Sequence, residues 1–394
     1  MEVVITRDKK SWAEAKITSI LRPGRSRIAP LCTNFTRCGG CHFQHVPYQS
    51  QLIIKEEIFA SIFERFLKEG TRIEPFLPSP ISYGYRARAR LFPSTDEEGA
   101  KVGFYQEGSK NVVALKRCPV LTEDINLVIE MLNDETNTAF GALAKYIDYV
   151  RVENDLFGNS FLTLSFTKRI REELKEKIRA LSTHIGARFM IFKKKAQFFW
   201  QNELICFYKN ADLAPQGLFC KPGQFFQANL EQNRALVELV VSLVKEEKRE
   251  TVSEFFCGSG NFSIPLARTG LEIKGFDLER KAIKEARKNA LKNQCKKNTQ
   301  FFTWDLLSKN LTYNSNFKAD VVVMDPPRIG ARSLSAIMGL IAPKTIIYVS
   351  CDPMTLKRDV ETLKKQGFKL TALHPLDMFP QTFHIETVAV LRKS

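Results

Sequence analysis

From residue 251 onward, short apolar runs alternate with amphipathic stretches. Residues 251–257 read as a strand that runs into Gly258-Ser259-Gly260-Asn261, and 262–268 as a helix. A second strand over 271–276 ends on Asp277 and precedes an amphipathic helix over 278–293. The pattern repeats in strands over 299–304 ending on Asp305, 319–324 ending on Asp325 and 345–350 ending on Cys351. Runs at 369–373 and 387–391 bring the number of strands to seven. Strands alternating with helices predict an open parallel α/β sheet, Rossmann-like, in which ligands bind beyond the carboxyl ends of the strands. The polar residues that end these runs fall on that edge.

The first half is patterned differently. Residues 49–68 predict a helix with a core-facing stripe of Leu52, Ile53, Ile58, Phe59, Ile62, Phe63 and Phe66. Residues 83–92 alternate arginine with small or apolar residues, which would place Arg86, Arg88 and Arg90 on one strand face, suited to phosphate contacts. Residues 103–109 and 111–115 read as a hairpin. Strands over 146–153 and 161–166 are joined by a turn at 155–160, and 169–182 is a polar-faced helix. Lys193-Lys194-Lys195 is an exposed basic run. Together these predict an α+β central region presenting positive charge.

Composition adds a partner class. Fifty-nine lysines and arginines against 43 acids give a formal charge of +16, spread along the chain, which suits a polyanion such as nucleic acid. The charged N-terminal residues have no apolar core behind them, so no signal peptide is expected, and the apolar stretch at 334–342 is too short to span a membrane. A cytoplasmic monomer is expected, with its nine cysteines reduced, metal-bound or catalytic rather than paired.

Four features of the second half suggest chemistry. The glycine loop is compatible with a nucleoside cofactor, a dehydrogenase or a plain tight turn, but the full GxGxxG pattern is missing, which disfavours a pyrophosphate ligand. Asp277, 17 residues beyond Gly260, is placed to accept from ribose hydroxyls, or to cap the next helix. Asp325-Pro326-Pro327-Arg328 holds its aspartate and arginine on a proline-stiffened turn. Cys351 stands at a strand end before a helix start, where the helix dipole favours a thiolate. In the first half, Cys32, Cys38 and Cys41 form a C-x5-C-x2-C pattern in CTNFTRCGGC, and Cys118 follows in KRCPVL. Three clustered thiols and one remote one suit zinc or a cubane iron–sulfur cluster, and spacing does not choose between them.

The segments FFCGSGNFSIPLA (255–267), DPPRIGA (325–331), VSCDP (349–353) and FPQTFHIETVAVL (379–391), with GQFFQAN (223–229), resemble the RNA 5-methyluridine (uracil-C5) methyltransferase family. The resemblance covers almost the whole chain, weakly between about 121 and 219. It implies a C-terminal class I methyltransferase sheet using S-adenosylmethionine, with Cys351 as nucleophile toward uracil carbon 6 and Glu386 as the base that removes the carbon 5 proton. It further implies cofactor contacts from Gln227, Phe256, Asn261, Asp277 and Asp325, with Asp305 near the adenine. The family usually carries Glu at the position of Asp277. CGGC-x2-QH (38–45) and the remote cysteine before proline match the cluster-bearing branch, which implies a 4Fe-4S cluster on Cys32, Cys38, Cys41 and Cys118, with His42 and His45 as packing or loop residues. That branch acts mostly on 23S rRNA, so 23S rRNA is the favoured substrate and the T-loop uridine of tRNA the alternative. A non-catalytic iron–sulfur RNA-binding protein would be expected to lack Cys351 or Glu386, and an adenine amino-methyltransferase would not need Cys351. The implied organisation is a remnant of an OB-like barrel (1–31), a cysteine region and linking helix (32–76), a central domain (77–219) and a methyltransferase domain (220–394). Only 31 residues precede Cys32, so the complete barrel that many members carry is not expected here.

Overall fold

The computed structural model describes residues 1–394 except 10–11, 98, 135, 168–171, 186–187, 194–196, 200–203, 309–310 and 312–313. The start of the helix expected from 169 and two lysines of the 193–195 run lie outside the described residues.

The C-terminal half forms the expected sheet. Its strands are β1 (Thr251–Phe255), β2 (Glu272–Asp277), β3 (Thr299–Thr303), β4 (Val321–Met324), β5 (Thr345–Ser350), β6 (Phe368–Leu376) and β7 (Glu386–Lys393), in the spatial order β3-β2-β1-β4-β5-β7-β6. The first five are parallel, and β7 is inserted antiparallel between β5 and β6. Strands covered on both faces must be apolar throughout, and every residue of VVVM in β4 and of TIIYVS in β5 is buried. One face is packed by helices α1 (Leu230–Glu246), α2 (Ser263–Arg268) and α3 (Arg280–Lys292). The other is packed by α4 (Arg332–Ile341), α5 (Pro353–Lys365) and the long helix Tyr48–Lys68. An eighth strand that the pattern did not suggest, Arg72–Ile73, runs parallel to β6 at the sheet edge. Beyond it, Leu77 N–H donates to the carbonyl of Pro375, a residue with no N–H of its own to offer a ladder.

The long helix buries Leu52, Phe59, Phe63 and Phe66, but Ile53 (55% exposed) and Ile58 (44%) face solvent, so the stripe is narrower than expected. The central region is a seven-stranded sheet in the order Gln197–Phe199, Arg188–Lys193, Ser160–Phe166, Ile147–Asn154, Arg88–Asp96, Gly99–Tyr105, Val112–Ala114. A separate hairpin, Ile205–Asn210 with Ala214–Cys220, buries Ile205, Phe207, Tyr208, Leu218 and Cys220 in the core beside α1 and α3. By packing it sits with the C-terminal sheet, although the expected boundary at 219/220 assigns nearly all of it to the central domain. Glu2–Lys9 and Trp12–Ser19 form a two-stranded antiparallel hairpin whose described residues are almost all exposed.

The long helix is fixed to the catalytic half by a fully buried ion pair, Lys55 Nζ to Asp377 Oδ1 at 2.7 Å. Lys55 also donates to the Phe379 carbonyl. Breaking one member strands a buried charge, at a cost of about 3–5 kcal/mol. Lys55→Met should therefore lower the denaturation midpoint sharply, and Lys55→Met/Asp377→Leu should recover part of the loss; chemical denaturation followed by fluorescence checks both.

Candidate functional site

At the carboxyl edge of the C-terminal sheet lies a cavity of about 520 Å3. Its wall includes Gln227, Phe256, Asn261, Asp277, Asp325, Cys351 and Glu386, together with Glu254, Glu279 and Arg328. The β1–α2 turn shapes one side. Phe256 adopts φ 65°, a left-handed conformation that is costly for a bulky residue. It is held there by Cys257 N–H donating to the Phe276 carbonyl (3.0 Å) and by Gly260 N–H donating to Cys257 (2.8 Å). Gly260 has φ +95°, and a Cβ on it would lie 2.9 Å from Ile264. Asp277, which lines the cavity, accepts from Gly258 N–H (2.9 Å) on one oxygen and from Glu279 N–H (2.8 Å) on the other. The helix cap is Glu279 rather than Asp277. Asn261 is fixed by a reciprocal amide pair with Asn233 at 2.9 and 3.0 Å.

The other side holds the reactive candidates. Ser350 pairs with Thr387 in the β5–β7 ladder, so Cys351 and Glu386 emerge next to each other from adjacent strands. Asp352 caps α5 by accepting from Thr355 N–H (2.8 Å). Asp359 Oδ2 accepts from Ala331 N–H and from the Tyr348 hydroxyl, both at 2.7 Å, which ties the DPPR loop to the strand carrying Cys351. Burial, then the repulsion of Asp325, raises the Glu386 carboxyl well above its ordinary value, with Arg328 opposing. Burial raises Asp325 to about 7 and Glu254 to about 8. The Cys351 thiol is pushed up to about 11 by burial and then by Glu386 and Asp325, against the pull of Arg328.

A second cavity of about 550 Å3 is lined by Cys32, Cys38, Cys41 and Cys118. Gly39 N–H donates to the Tyr105 carbonyl and Glu107 N–H to that of Arg37, seating the cysteine loop on the Gly99–Tyr105 hairpin. Asn126 clamps Cys118 by accepting from its N–H and donating to its carbonyl. The thiols raise one another's pKa in addition to burial, which lifts Cys41 to about 11 and Cys118 to about 12. Arg328 and Phe379 line both cavities, and Arg328 Nη2 lies 3.2 Å from His384 Nε2 in the second. Gln381, buried at φ 70°, joins the two regions. Its carbonyl accepts from His42 and Phe43 N–H, its side-chain oxygen accepts from Gln51 Nε2 while its backbone N–H donates to Gln51 Oε1, and its side-chain amide donates to the Ser82 carbonyl.

The family model described as tRNA (Uracil-5-)-methyltransferase matches residues 47–394. The chain belongs to this family. Among its curated relatives, a 23S rRNA (uracil(1939)-C(5))-methyltransferase RlmD of Shewanella woodyi is 32% identical over all of this chain and 88% of its own length. The RlmD of Shewanella sediminis is 33% identical over 98% of this chain and 87% of its own. Among solved structures, the Pyrococcus abyssi tRNA (uracil-54, C5)-methyltransferase in complex with S-adenosyl-L-homocysteine superposes with a TM-score of 0.73 at 24% identity, covering 99% of this chain and 92% of that one. At that identity the likeness supports the fold, here the class I methyltransferase sheet.

Of the family positions carried over from sequence, Gln227, Phe256, Asn261, Asp277, Asp325, Cys351 and Glu386 converge on the first cavity and the four cysteines on the second. Asp305 does not. It is exposed, accepts from Leu307 N–H in a local turn, and is not among the residues lining the cavity. Arg88 also departs from expectation. Only 17% of its side chain is exposed, paired with the buried Glu153 and donating to the Phe226 carbonyl, so it joins the two halves of the chain rather than awaiting phosphate. Glu254 and Glu279 were missed. Glu254 is an acid inside the apolar run TVSEF that receives a hydrogen bond from Ser263 Oγ, and that isolated charge was its available signal.

The raised thiol pKa sets an expectation for alkylation. Removing a neighbouring negative charge lowers the Cys351 pKa and increases the thiolate fraction, so Asp325→Asn should alkylate with iodoacetamide at Cys351 several-fold faster than wild type at pH 9. Peptide mass spectrometry reads the site, and an equal or slower rate would contradict the electrostatic coupling.

Proposed function

We propose that the chain methylates carbon 5 of a uridine in RNA, most directly 23S rRNA, through a covalent adduct of Cys351 and proton removal by Glu386. The observation that carries this reading is the presence of Cys351, Glu386 and Asp325 in one cavity together with the glycine loop of a class I methyltransferase. S-adenosylmethionine supplies, when bound, an electrophilic methyl group on a cationic sulfonium. Asp277, Glu279 and Asp325 line the cavity with carboxyl groups suited to that cation, and Gln227, Phe256 and Asn261 supply polar and aromatic contacts.

Uracil carbon 5 is too weak a nucleophile to take a methyl group directly. The Cys351 thiolate would add to carbon 6 and turn the ring into an enolate, so that carbon 5 is nucleophilic enough to take the methyl group from the sulfonium, whose carbon–sulfur bond breaks to leave a neutral thioether. Arg328, which favours the thiolate, lines the same wall. Glu386 then removes the carbon 5 proton, the double bond re-forms and the thiolate leaves. Its raised pKa makes the ionised carboxylate a stronger base for that proton than an exposed glutamate. The base reaches so enclosed a site only when unstacked from the RNA.

The four cysteines fit a 4Fe-4S cluster. A cubane binds each thiolate through a different iron, and all four cysteines line one cavity. Gly39 and Gly40 keep its wall clear: a Cβ on Gly39 would meet the Glu107 backbone at 3.3 Å, and one on Gly40 the Cys38 Sγ at 3.4 Å. Among the described residues, the buried His42 Nδ1 has no hydrogen-bond partner. Bound there, the cluster would serve as a cross-link between residues 32–41 and Cys118, with no redox step in methyl transfer.

For the RNA, the RlmD relatives favour 23S rRNA, whereas the solved archaeal relative acts on tRNA. Anaerobically prepared protein incubated with methyl-labelled cofactor and separate pools of unmodified rRNA and tRNA should place label in 5-methyluridine of 23S rRNA. It should also contain about four iron and four sulfide per chain. Cys351→Ala should transfer none. Label in tRNA alone would reassign the substrate, and label in adenosine, or full turnover by Cys351→Ala, would overturn the reaction.

A further inference from the structure

The loop between β6 and β7 is buried at Asp377, Met378, Gln381, Thr382, Ile385 and Glu386, yet one large apolar side chain, Phe383, is 52% exposed. A single exposed phenylalanine is ordinary; its support is not. The His42 ring lies 4.4 Å from it, centroid to centroid, and the His384 ring 4.6 Å. His42 follows Cys41, and His384 contacts Arg328 at the wall shared by the two cavities. The left-handed turn at Gln381, hydrogen-bonded to His42, Phe43 and Gln51, fixes the backbone two residues before the ring. Three residues after it comes Glu386.

From this we infer that Phe383 is a stacking platform for an unpaired nucleobase flanking the target uridine in the RNA. A half-exposed ring braced by two imidazoles offers aromatic surface with little entropy left to lose, and stacking is how proteins hold splayed bases. Arg328 and Arg86 line the adjoining cavity and supply positive charge for the backbone. Phe383 thereby holds the strand beside the everted uridine and takes no part in the chemistry. The inference rests on reading the first cavity as the uridine site.

The test uses full-length, cluster-loaded protein and a short RNA containing the uridine mapped by methyl labelling, with 2-aminopurine at its 5′ or 3′ neighbour. Wild type should quench one of the two probes. Phe383→Ala and Phe383→Leu should abolish the quench and raise KM for RNA about tenfold, with KM for the methyl donor unchanged, while Phe383→Trp or Phe383→Tyr should retain both. Unaltered quench and KM in Phe383→Ala, or a loss in Phe383→Trp equal to that in Phe383→Ala, would overturn the platform. Failure of the underlying reading would look different, because wild type itself would then methylate no uridine.

Discussion

The antiparallel insertion of β7 between β5 and β6 is the constraint on which the site depends. In a purely parallel sheet every strand would deliver its last residue to the ligand edge. Because β7 runs the other way, it delivers its first residue, Glu386, beside Cys351, the residue just past the end of β5. Two groups 35 residues apart in sequence become neighbours through a ladder whose register is fixed by buried side chains on both faces. A one-residue slip would turn Glu386 to the opposite face of the sheet.

Around that ladder, the chain spends its buried polar contacts on holding the 377–386 loop. Lys55 and Asp377 pair beneath it, Gln51 and Gln381 exchange hydrogen bonds, and the Tyr85 hydroxyl donates to the Pro380 carbonyl. These partners come from the long helix and the central region, so the loop leading to Glu386 is supported from outside its own sheet. The cysteine segment joins the same arrangement through His42 and Phe43. Whatever stiffens residues 32–43 therefore also stiffens the approach to Glu386, which gives a group bound by the four cysteines a mechanical connection to catalysis without a chemical one.

Much of this was legible along the chain, for a physical reason. Buried parallel strands are uninterrupted apolar runs, and the polar residue that ends each run marks the ligand edge, which is how Asp277, Asp325 and Cys351 were placed. The same rule failed at Asp305, because β3 is the outermost strand of that half and its end turns to solvent instead of the cavity. Alternation put Arg88 on the correct face but could not show that Glu153 waits opposite it across the β-ladder. Ile53 and Ile58 looked like core because periodicity records a face, not how far its neighbours reach. The hairpin at 205–220 carries no local sign of which core it joins; that choice is made by long-range packing against α1 and α3. Glu254 and Gln381 owe their roles to burial and distant partners, which no local pattern encodes.

In the proposed mechanism Cys351 opens the reaction and Glu386 closes it. Replacing Glu386 by Gln keeps the shape of the base and removes its function, so the adduct should form and fail to break down. Incubating Glu386→Gln with RNA and methyl donor, then digesting with nuclease and protease, should yield a Cys351 peptide carrying a methylated uridine, detected by mass spectrometry. Normal turnover by that variant without a trapped adduct, or an adduct on a different residue, would contradict the account.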